Sequence, residues 1–224
     1  MWKHLCFKLS FFLVLFLLLG AANPSDDRRE TGELKSYQGK ELGSVNDFRE
    51  NSIGGVRKVD LKKYRLRVDG LVKKPLSYSY QELKTFPRQK KLVTTHCVEG
   101  WQVTVLWEGI PFSELISRVG VDPKVNTIIF HGVDGYTTSL EFKTVADKNM
   151  LLADSANGIP LPAKLGFPFI LVAEEKWGYK WARWIERIQF SDKANFRGYW
   201  EQRGYNQKGD ISGPELEDDI RKKK

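Results

Sequence analysis

Short segments in which apolar and polar residues alternate are the feature that most constrains the fold of this chain. Residues 64–70 alternate in this way and end at Gly70, and residues 184–190 alternate again. A period of two places the apolar side chains on one face of a strand, so both segments predict half-buried β-strands. The apolar runs at residues 92–95, 127–130 and 167–173 predict further strands, and residues 136–139 predict another after a turn.

The predicted helices are few and short. Ser79 and Glu82 have the spacing of a capping box, which predicts a helix that starts beside them. Pro111 and Gly120 bracket a second helix over residues 112–119, and residues 141–147 predict a third. The chain has no alternation of strands and long helices and no glycine-rich phosphate loop, which disfavours a doubly wound nucleotide-binding fold. We therefore predict a single α+β domain that is mostly β.

The two ends of the chain differ from its middle. Lys3 and Lys8 precede an apolar run at residues 11–19, which small residues close, so residues 1–22 predict a signal peptide, with an uncleaved anchor as the alternative. This segment predicts an exported protein in the periplasm or another extracytoplasmic compartment. We expect an extended N-terminal arm over residues 23–45, the domain over residues 46–206, and a polar, charged tail over residues 207–224.

The chain is basic, with a formal net charge of +8. Its lysines and arginines form scattered clusters, and no basic stripe carries interleaved aromatic residues. This pattern disfavours a nucleic-acid partner. It leaves open the attraction of a small anionic molecule to a basic rim.

Cys97 would be the only thiol of the exported chain, because Cys6 lies in the predicted signal peptide. Three interpretations are open: a small buried apolar residue, a nucleophile, or a metal ligand. His96 is poorly placed as a base because neighbours on a strand point to opposite faces, which leaves His131. With these two histidines the chain has too few ligands for a closed zinc site, so a metal site on Cys97 requires a cofactor that brings further ligands.

The residues around Cys97 resemble a known family. Cys97-Val98-Glu99-x-Trp101 is followed by Trp107-x-Gly109-x-Pro111, as in the active-site segment of sulfite oxidase-like molybdopterin oxidoreductases. The other landmarks, in the order of the family, are Asn46-Asp47-Phe48-Arg49-Glu50-Asn51, Leu66-x-Val68-x-Gly70-x-Val72-x-x-Pro75, Asp134-Gly135-Tyr136-Thr137, Asn157-Gly158-x-Pro160-Leu161-Pro162 and Lys176-Trp177-Gly178-Tyr179-Lys180. The resemblance covers about residues 36–206. It implies the mixed sheets and short helices of a sulfite oxidase-like molybdopterin-binding domain.

The resemblance implies a Mo-molybdopterin cofactor, whose molybdenum is held by the dithiolene of one pterin and by one protein cysteine, here Cys97. Catalytic roles are expected for Cys97, Tyr136 and Lys180. The residues expected at the cofactor are Asn46, Arg49, Glu50, Cys97, Gly178, Lys180, Trp181, Ala182 and Arg183. Their arginine and lysine side chains would neutralise the phosphate of the pterin, and backbone N–H groups near Gly178 would bind its polar edge.

The expected activity is a two-electron oxygen-atom transfer on a small molecule such as sulfite or a sulfoxide. The chain has no Cys-x-x-Cys-His motif for covalent haem, so a separate redox partner such as a membrane haem protein is expected. Two alternatives are a binding module that keeps the fold without the cofactor, and a thiol enzyme that uses Cys97 with His131.

Two features depart from the family pattern. Relatives often have Asn or His where this chain has Leu165, and often have Arg where it has Ile170. The loss of these polar groups favours a substrate other than the sulfite anion. Relatives that cross the membrane already folded usually carry a twin-arginine signal, whereas Arg28-Arg29 follows the apolar run here. Leu165, Ile170 and the export signal together motivate the alternative without a cofactor.

Overall fold

The computed structural model describes residues 27–217. The predicted signal peptide at residues 1–22 and the last residues of the predicted tail, 218–224, lie outside this range. Within it, none of the helices has the length and apolar character needed to cross a membrane.

Strands dominate the described residues, which confirms the predicted α+β, mostly β class. The strands are β1 Ser36–Tyr37, β2 Lys40–Glu41, β3 Leu66–Gly70, β4 Leu76–Tyr78, β5 Gln89–His96, β6 Gln102–Pro111, β7 Thr127–Gly132, β8 Thr137–Glu141, β9 Leu151–Ala156, β10 Ile159–Pro160, β11 Ile170–Val172 and β12 Ile185–Ser191. The helices are α1 Tyr80–Lys84, α2 Phe112–Val119 and α3 Phe142–Asp147, with 3-10 turns at Ala163–Leu165, Gly178–Lys180 and Glu201–Arg203.

The main strands form two five-stranded sheets. Sheet I has the order β10-β9-β6-β5, with β11 also paired to β9, and sheet II has the order β4-β3-β12-β7-β8. The pairing of β12 with β3 is parallel, whereas the other pairs of sheet II and all pairs of sheet I are antiparallel. Buried residues from both sheets belong to one hydrophobic cluster, and α2 contacts both β3 and β6. Sheets I and II therefore share one core.

Local signals account for the elements that the sequence predicted well. The Ser79 side chain accepts from the backbone N–H of Glu82 at 3.2 Å, and the Glu82 carboxylate accepts from the backbone N–H of Ser79 at 2.7 Å. Helix α2 starts directly after Pro111 and stops at Gly120, whose φ of +63° favours glycine. The predicted helix at residues 141–147 starts one residue later, at Phe142.

Strands β6 and β9, which lie inside sheet I, were not predicted from the sequence. Strand β6 pairs on one side with β5 and on the other with β9, and most of its residues are buried. A strand buried on both faces has no polar face and so shows no alternation. The strand predicted at residues 167–173 is shorter than expected and runs over Ile170–Val172, after Pro168, which has no N–H to donate to a sheet.

The described parts of the two terminal segments pack on the domain. In the predicted arm, the buried carboxylate of Glu33 accepts from the backbone N–H of Val45 at 2.8 Å and from Asn157 Nδ2 at 3.0 Å. Burial raises the pKa of Glu33, but these hydrogen bonds outweigh it, so the pKa lies below its ordinary value. In the predicted tail, Asp210 forms an ion pair with Lys176. The arm therefore contributes a buried polar cluster to the fold, and the tail contributes an ion pair whose acidic partner is partly exposed.

Candidate active site

Cys97 lies in the turn between the two longest strands of sheet I. It follows the last residue of β5, its backbone N–H donates to the carbonyl of Trp101 at 2.9 Å, and its own carbonyl accepts from Gly100 at 3.0 Å. Gly100 has a φ of +83°, a conformation that favours glycine. The hairpin therefore presents Cys97 at the edge of sheet I, where the side chain is 5% exposed.

The Cys97 side chain lines a cavity of about 420 Å³. Segments from both sheets and from the 3-10 turns build its walls, which are rich in aromatic residues. The lining residues are Phe48, Arg49, Asn51, Ser52, Ile53, Thr95, Cys97, Val98, Glu99, Trp101, Asp134, Tyr136, Leu165, Ile170, Gly178, Tyr179, Trp181, Arg183, Trp184, Tyr199, Trp200 and Tyr205.

An asparagine and an arginine connect to the thiol inside this cavity. Asn51 donates from Nδ2 towards Cys97 Sγ at 3.7 Å, and its Oδ1 accepts from Arg183 Nη2 at 2.9 Å. Arg183 also lies 3.5 Å from the carboxylate of Glu50 and donates to the carbonyl of Lys164 at 3.1 Å. A fixed positive charge thus lies one side chain away from the sulfur.

The electrostatic setting of the free thiol differs from that of an activated nucleophile. Burial raises the pKa of Cys97, and the charge of Glu99 acts in the same direction. Reactive cysteines have lowered pKa values instead. His131, the base of the thiol-enzyme hypothesis, contacts Gln189 Oε1 at 3.1 Å and is not among the residues that line the cavity. These two observations count against a thiol enzyme.

Tyr136 lines the cavity, as its predicted role requires, but its hydroxyl has a protein partner. The hydroxyl donates to the backbone carbonyl of Tyr179. Burial raises the pKa of Tyr136 well above its ordinary value, so the phenol stays protonated. The tyrosine therefore anchors the 3-10 turn Gly178–Lys180 to the cavity wall, and its catalytic role remains a prediction.

The structure brings together only part of the predicted site. Six of the predicted residues line the cavity, namely Arg49, Cys97, Tyr136, Gly178, Trp181 and Arg183. Four others lie outside its lining: Asn46, Glu50, Lys180 and Ala182. Glu50 contacts the cavity residue Arg183 and so lies just outside the lining. Ala182 is fully buried, and its backbone carbonyl accepts a hydrogen bond from the backbone N–H of Leu171.

The two remaining residues have their polar groups engaged elsewhere. Asn46 accepts from Lys164 Nζ at 3.2 Å. The fully buried Lys180 donates to Glu201 Oε1 at 2.5 Å and to the carbonyl of Gln207 at 2.9 Å. Because the ammonium group of Lys180 already has these partners, the structure gives it a structural role, and a contact with a cofactor phosphate stays a prediction without geometric support.

Several polar residues of the cavity were not among the predicted site residues; they include the uncharged Asn51, Ser52 and Thr95 and the acidic Glu99 and Asp134. Asn51 is the last residue of the family landmark at residues 46–51, so this motif could have identified it. No sequence pattern pointed to Ser52 or Thr95 as site residues. The hydroxyls of Ser52 and Thr95 are buried and have no hydrogen-bond partner among the described residues. An unpaired buried hydroxyl costs about 1–3 kcal/mol, so such groups in a cavity fit a ligand that carries its own donors and acceptors.

Gly178 allows the 3-10 turn Gly178–Lys180 to pack closely against the backbone of the hairpin that carries Cys97. A Cβ atom at this position would lie 3.3 Å from the carbonyl oxygen of His96 and 3.7 Å from the Cα of Cys97. With unpaired hydroxyls, two arginines and one thiol around it, the cavity has the donor set that a polar, anionic, metal-bearing pterin needs. The residues present therefore fit such a group.

Comparison with known families identifies the fold and its cofactor. The sequence model of the oxidoreductase molybdopterin binding domain matches residues 53–200. The chain belongs to this family. It is a molybdopterin-dependent oxidoreductase, which confirms the resemblance seen in the landmarks around Cys97.

Individual relatives agree with this family. The chain is 36% identical over 152 residues to an uncharacterized oxidoreductase, YuiH, of Bacillus subtilis. This alignment covers 67% of this chain and 76% of YuiH. It is 32% identical over 146 residues to the protein-methionine-sulfoxide reductase catalytic subunit MsrP of Ralstonia nicotianae, covering 58% of this chain and 44% of the relative. Among solved structures, the sulfane dehydrogenase SoxCD of Paracoccus pantotrophus matches with a TM-score of 0.60 and 25% identity, over 67% of this chain and 42% of that chain. The chain thus spans less than half of the last two proteins.

The two residues that depart from the family pattern, Leu165 and Ile170, lie in the cavity wall. Leu165 and Ile170 are 3% and 4% exposed, and both line the same cavity as Cys97. Trp181 and Phe48 add further apolar surface. The two positions at which the resemblance implied polar groups therefore contribute apolar surface to the cavity.

Proposed function

We propose that this chain transfers an oxygen atom between water and a small neutral substrate at a molybdenum–pterin centre bound through Cys97. The observation that carries the proposal is the position of Cys97 in a cavity of about 420 Å³, linked through Asn51 to Arg183. When bound, the molybdenum supplies two-electron oxygen-atom transfer.

The residues of the cavity have distinct proposed roles. The Cys97 thiolate holds the metal, and the Asn51 amide orients the sulfur by donating to it. The guanidinium groups of Arg49 and Arg183 offset the negative charge of the pterin phosphate and dithiolene. The hydroxyls of Ser52 and Thr95 bind the polar edge of the pterin, and Glu50 acts indirectly by holding Arg183.

The apolar wall favours a sulfoxide over sulfite. The side chains of Leu165 and Ile170 offer an anion no hydrogen bond or positive charge in return for its lost hydration. The nearby Arg183 is already engaged by Glu50 and Asn51. A neutral sulfoxide with alkyl groups gains from the same contacts. Its reduction consumes two electrons and two protons, breaks the S–O bond and yields a thioether and water. The name of the MsrP relative, a methionine-sulfoxide reductase, agrees with this substrate class.

The proposal extends to location and partner. Removal of residues 1–22 during export would place the domain outside the cytoplasm. The electrons would come from a separate redox protein, such as a membrane haem protein, because the cysteines of the sequence are Cys6 and Cys97 alone and suffice for no second metal cluster.

The test is the molybdenum and pterin content of the full chain purified from molybdenum-replete cells, together with its activity. We expect about one molybdenum atom per wild-type chain and loss of most of it in Cys97→Ser. Thr94→Ser is the matched control, because Thr94 Oγ1 contacts Thr104 Oγ1 on the neighbouring strand and does not line the cavity. The wild type should also reduce a dialkyl sulfoxide faster than it oxidises sulfite.

Other outcomes would contradict parts of the proposal. Full molybdenum content in Cys97→Ser would refute the role of Cys97 as a ligand. A wild-type protein that folds without metal or pterin would favour the binding module. Faster turnover of sulfite than of the sulfoxide would refute the substrate class alone.

A further inference from the structure

A second concave surface adjoins the cavity and carries most of its charge as cations. This surface, of about 660 Å³, is called here the basic groove and is defined by Arg57, Lys58, Lys63, Arg65 and Arg67. The alternation around strand β3 explains the exposure of Arg65 and Arg67. Leu66 and Val68 are buried, so the residues before and between them face outward. The others come from the segment that leads into β3.

The five cations of the basic groove have no carboxylate partner within ion-pair distance among the described residues. Nearby Arg187, in contrast, pairs with Asp69 at 2.9 Å. Three carboxylates also line the groove, so five positive charges stand against three negative ones, and the surface keeps an excess of positive charge.

The basic groove is continuous with the site. Asp134 lines both the groove and the cavity of Cys97. Residues 51–53 line the cavity, and Arg57 and Lys58, a few positions further on, line the groove. A partner in the groove would therefore lie beside the cavity that contains Cys97.

Two exposed apolar residues border the basic groove. Val133, which lines it, is 36% exposed, and Val56, next to Arg57, is 44% exposed; they are the most exposed large hydrophobic residues of the described chain. A small apolar contact surrounded by unpaired charge suits a weak, fast and electrostatically steered complex better than a permanent one.

We propose that the basic groove docks the acidic face of a protein electron donor. This rests on the proposed function, which needs two electrons per turnover from outside the chain. The reduced donor is oxidised as it delivers them, two protons come from solvent, and the sulfur of the sulfoxide is reduced as its oxygen leaves as water. Because the groove lies beside the cavity instead of forming it, a donor and a substrate have separate binding surfaces.

The experiment uses the molybdenum-loaded full chain with chemically reduced flavodoxin, a small acidic flavoprotein, as the probe donor and dimethyl sulfoxide as oxidant. The groove variant is Lys58→Glu/Lys63→Glu. The matched control is Lys124→Glu/Lys193→Glu, which changes the net charge by the same amount. Lys124 precedes β7 and Lys193 follows β12, so both lie at the end of these paired strands that is away from the groove. Reduced benzyl viologen, a small dye, reports the basal activity of each protein.

We expect the groove variant to oxidise flavodoxin at least tenfold more slowly than wild type at low ionic strength, with the control pair within twofold. Activity with benzyl viologen should stay within twofold in both variants. Added salt should slow the wild type with flavodoxin, whereas it should not slow the groove variant, because that groove carries three positive charges against five negative ones. Calorimetry measures the affinity of each protein for oxidised flavodoxin. We expect the groove variant to bind more weakly than the wild type, and the control variant to bind as the wild type does.

Several results would overturn the docking surface. These are an unchanged flavodoxin rate in the groove variant, an equal loss in both variant pairs, or no measurable binding of flavodoxin to the wild type. Weaker sedimentation of the groove variant with phosphatidylglycerol vesicles, at an unchanged flavodoxin rate, would assign the groove to a membrane instead. If the wild type does not reduce dimethyl sulfoxide with reduced benzyl viologen, the proposed function is refuted. The docking surface is tested separately, because flavodoxin binding measured by calorimetry does not depend on turnover.

Discussion

Asn51 Nδ2 lies 3.7 Å from Cys97 Sγ, although 46 positions separate the two residues in the chain. The same amide accepts from Arg183 at 2.9 Å through its oxygen. One side chain therefore orients the sulfur and fixes the neighbouring positive charge at once. Groups that orient a ligand in this way commonly change metal affinity or activity by about 10–100-fold when removed.

The first prediction follows from this contact. Asn51→Ala should lower the molybdenum content or the sulfoxide-reducing kcat about 10–100-fold, because the sulfur loses its donor and Arg183 loses its acceptor. Asn46→Ala is the control, because Asn46 contacts Lys164 and does not line the cavity. Metal analysis and steady-state kinetics of both variants give the measurement. A larger loss in Asn46→Ala would place the cofactor nearer to Asn46, as the resemblance implied.

The second prediction concerns the apolar wall at Ile170. Ile170→Arg should strengthen inhibition by sulfite and lower kcat/KM for a dialkyl sulfoxide by about tenfold, because it adds a cation where the wild type has hydrocarbon. Ile170→Met keeps the wall apolar and should change both quantities less than threefold. If sulfite inhibits both variants equally, the wall does not select against anions.

The third prediction tests the buried pair of Lys180 and Glu201. Both side chains are 0% exposed, and Thr138 also donates to the Glu201 carboxylate at 2.6 Å. Lys180→Met should destabilise the protein by about 3–5 kcal/mol, because it leaves a buried carboxylate without its cation. Lys180→Met/Glu201→Gln removes both charges and should recover much of this loss in urea unfolding. Normal stability of Lys180→Met together with loss of molybdenum would instead support the predicted role of Lys180 at the cofactor.

The fourth prediction is a pH dependence that arises from Tyr64. Its buried hydroxyl donates to the carbonyl of Ile185 at 2.6 Å, and burial raises its pKa above the ordinary value of 10.0. Above pH 10 the unfolded chain therefore releases a proton that the folded chain keeps, so the free energy of unfolding falls as the pH rises. One such proton contributes about 1.4 kcal/mol per pH unit.

Tyr64→Phe isolates this contribution. Between pH 8 and pH 9.5, the variant should be less stable than the wild type by about 1–3 kcal/mol, because the Ile185 carbonyl loses its donor. Above pH 10, the wild type should lose stability more steeply, and the difference between the two proteins should shrink. Urea unfolding from pH 8 to pH 11 measures both slopes, and parallel slopes would show that Tyr64 ionises alike in the folded and unfolded chains.

Some elements were predictable because their signals lie next to one another in the chain. The capping box of Ser79 and Glu82 and the Pro111 and Gly120 boundaries of α2 are short-range steric and hydrogen-bonding effects. The central strand β6 was missed because burial on both faces removes the alternation on which the prediction depends.

The predicted site shows the same division. The motif around Cys97 was visible as a sequence pattern, and the family match confirms what it implied about fold and cofactor. The partners of Lys180 were not visible, since Glu201 and Gln207 lie more than 20 positions away and only the folded chain buries them together. A lysine in a motif looks the same whether its ammonium group meets a ligand or a buried carboxylate.

The sequence by itself determined the class of fold, the single candidate thiol of the domain and the family to which that thiol points, since each depends on residue identity and short-range spacing. Only the tertiary structure decided that Asn51 reaches Cys97 and also binds Arg183, that Leu165 and Ile170 line the same cavity, and that five cations with no carboxylate partner among the described residues gather beside it. The physical reason is that burial and charge pairing are properties of the space between distant segments, and that space exists only after the two sheets have packed.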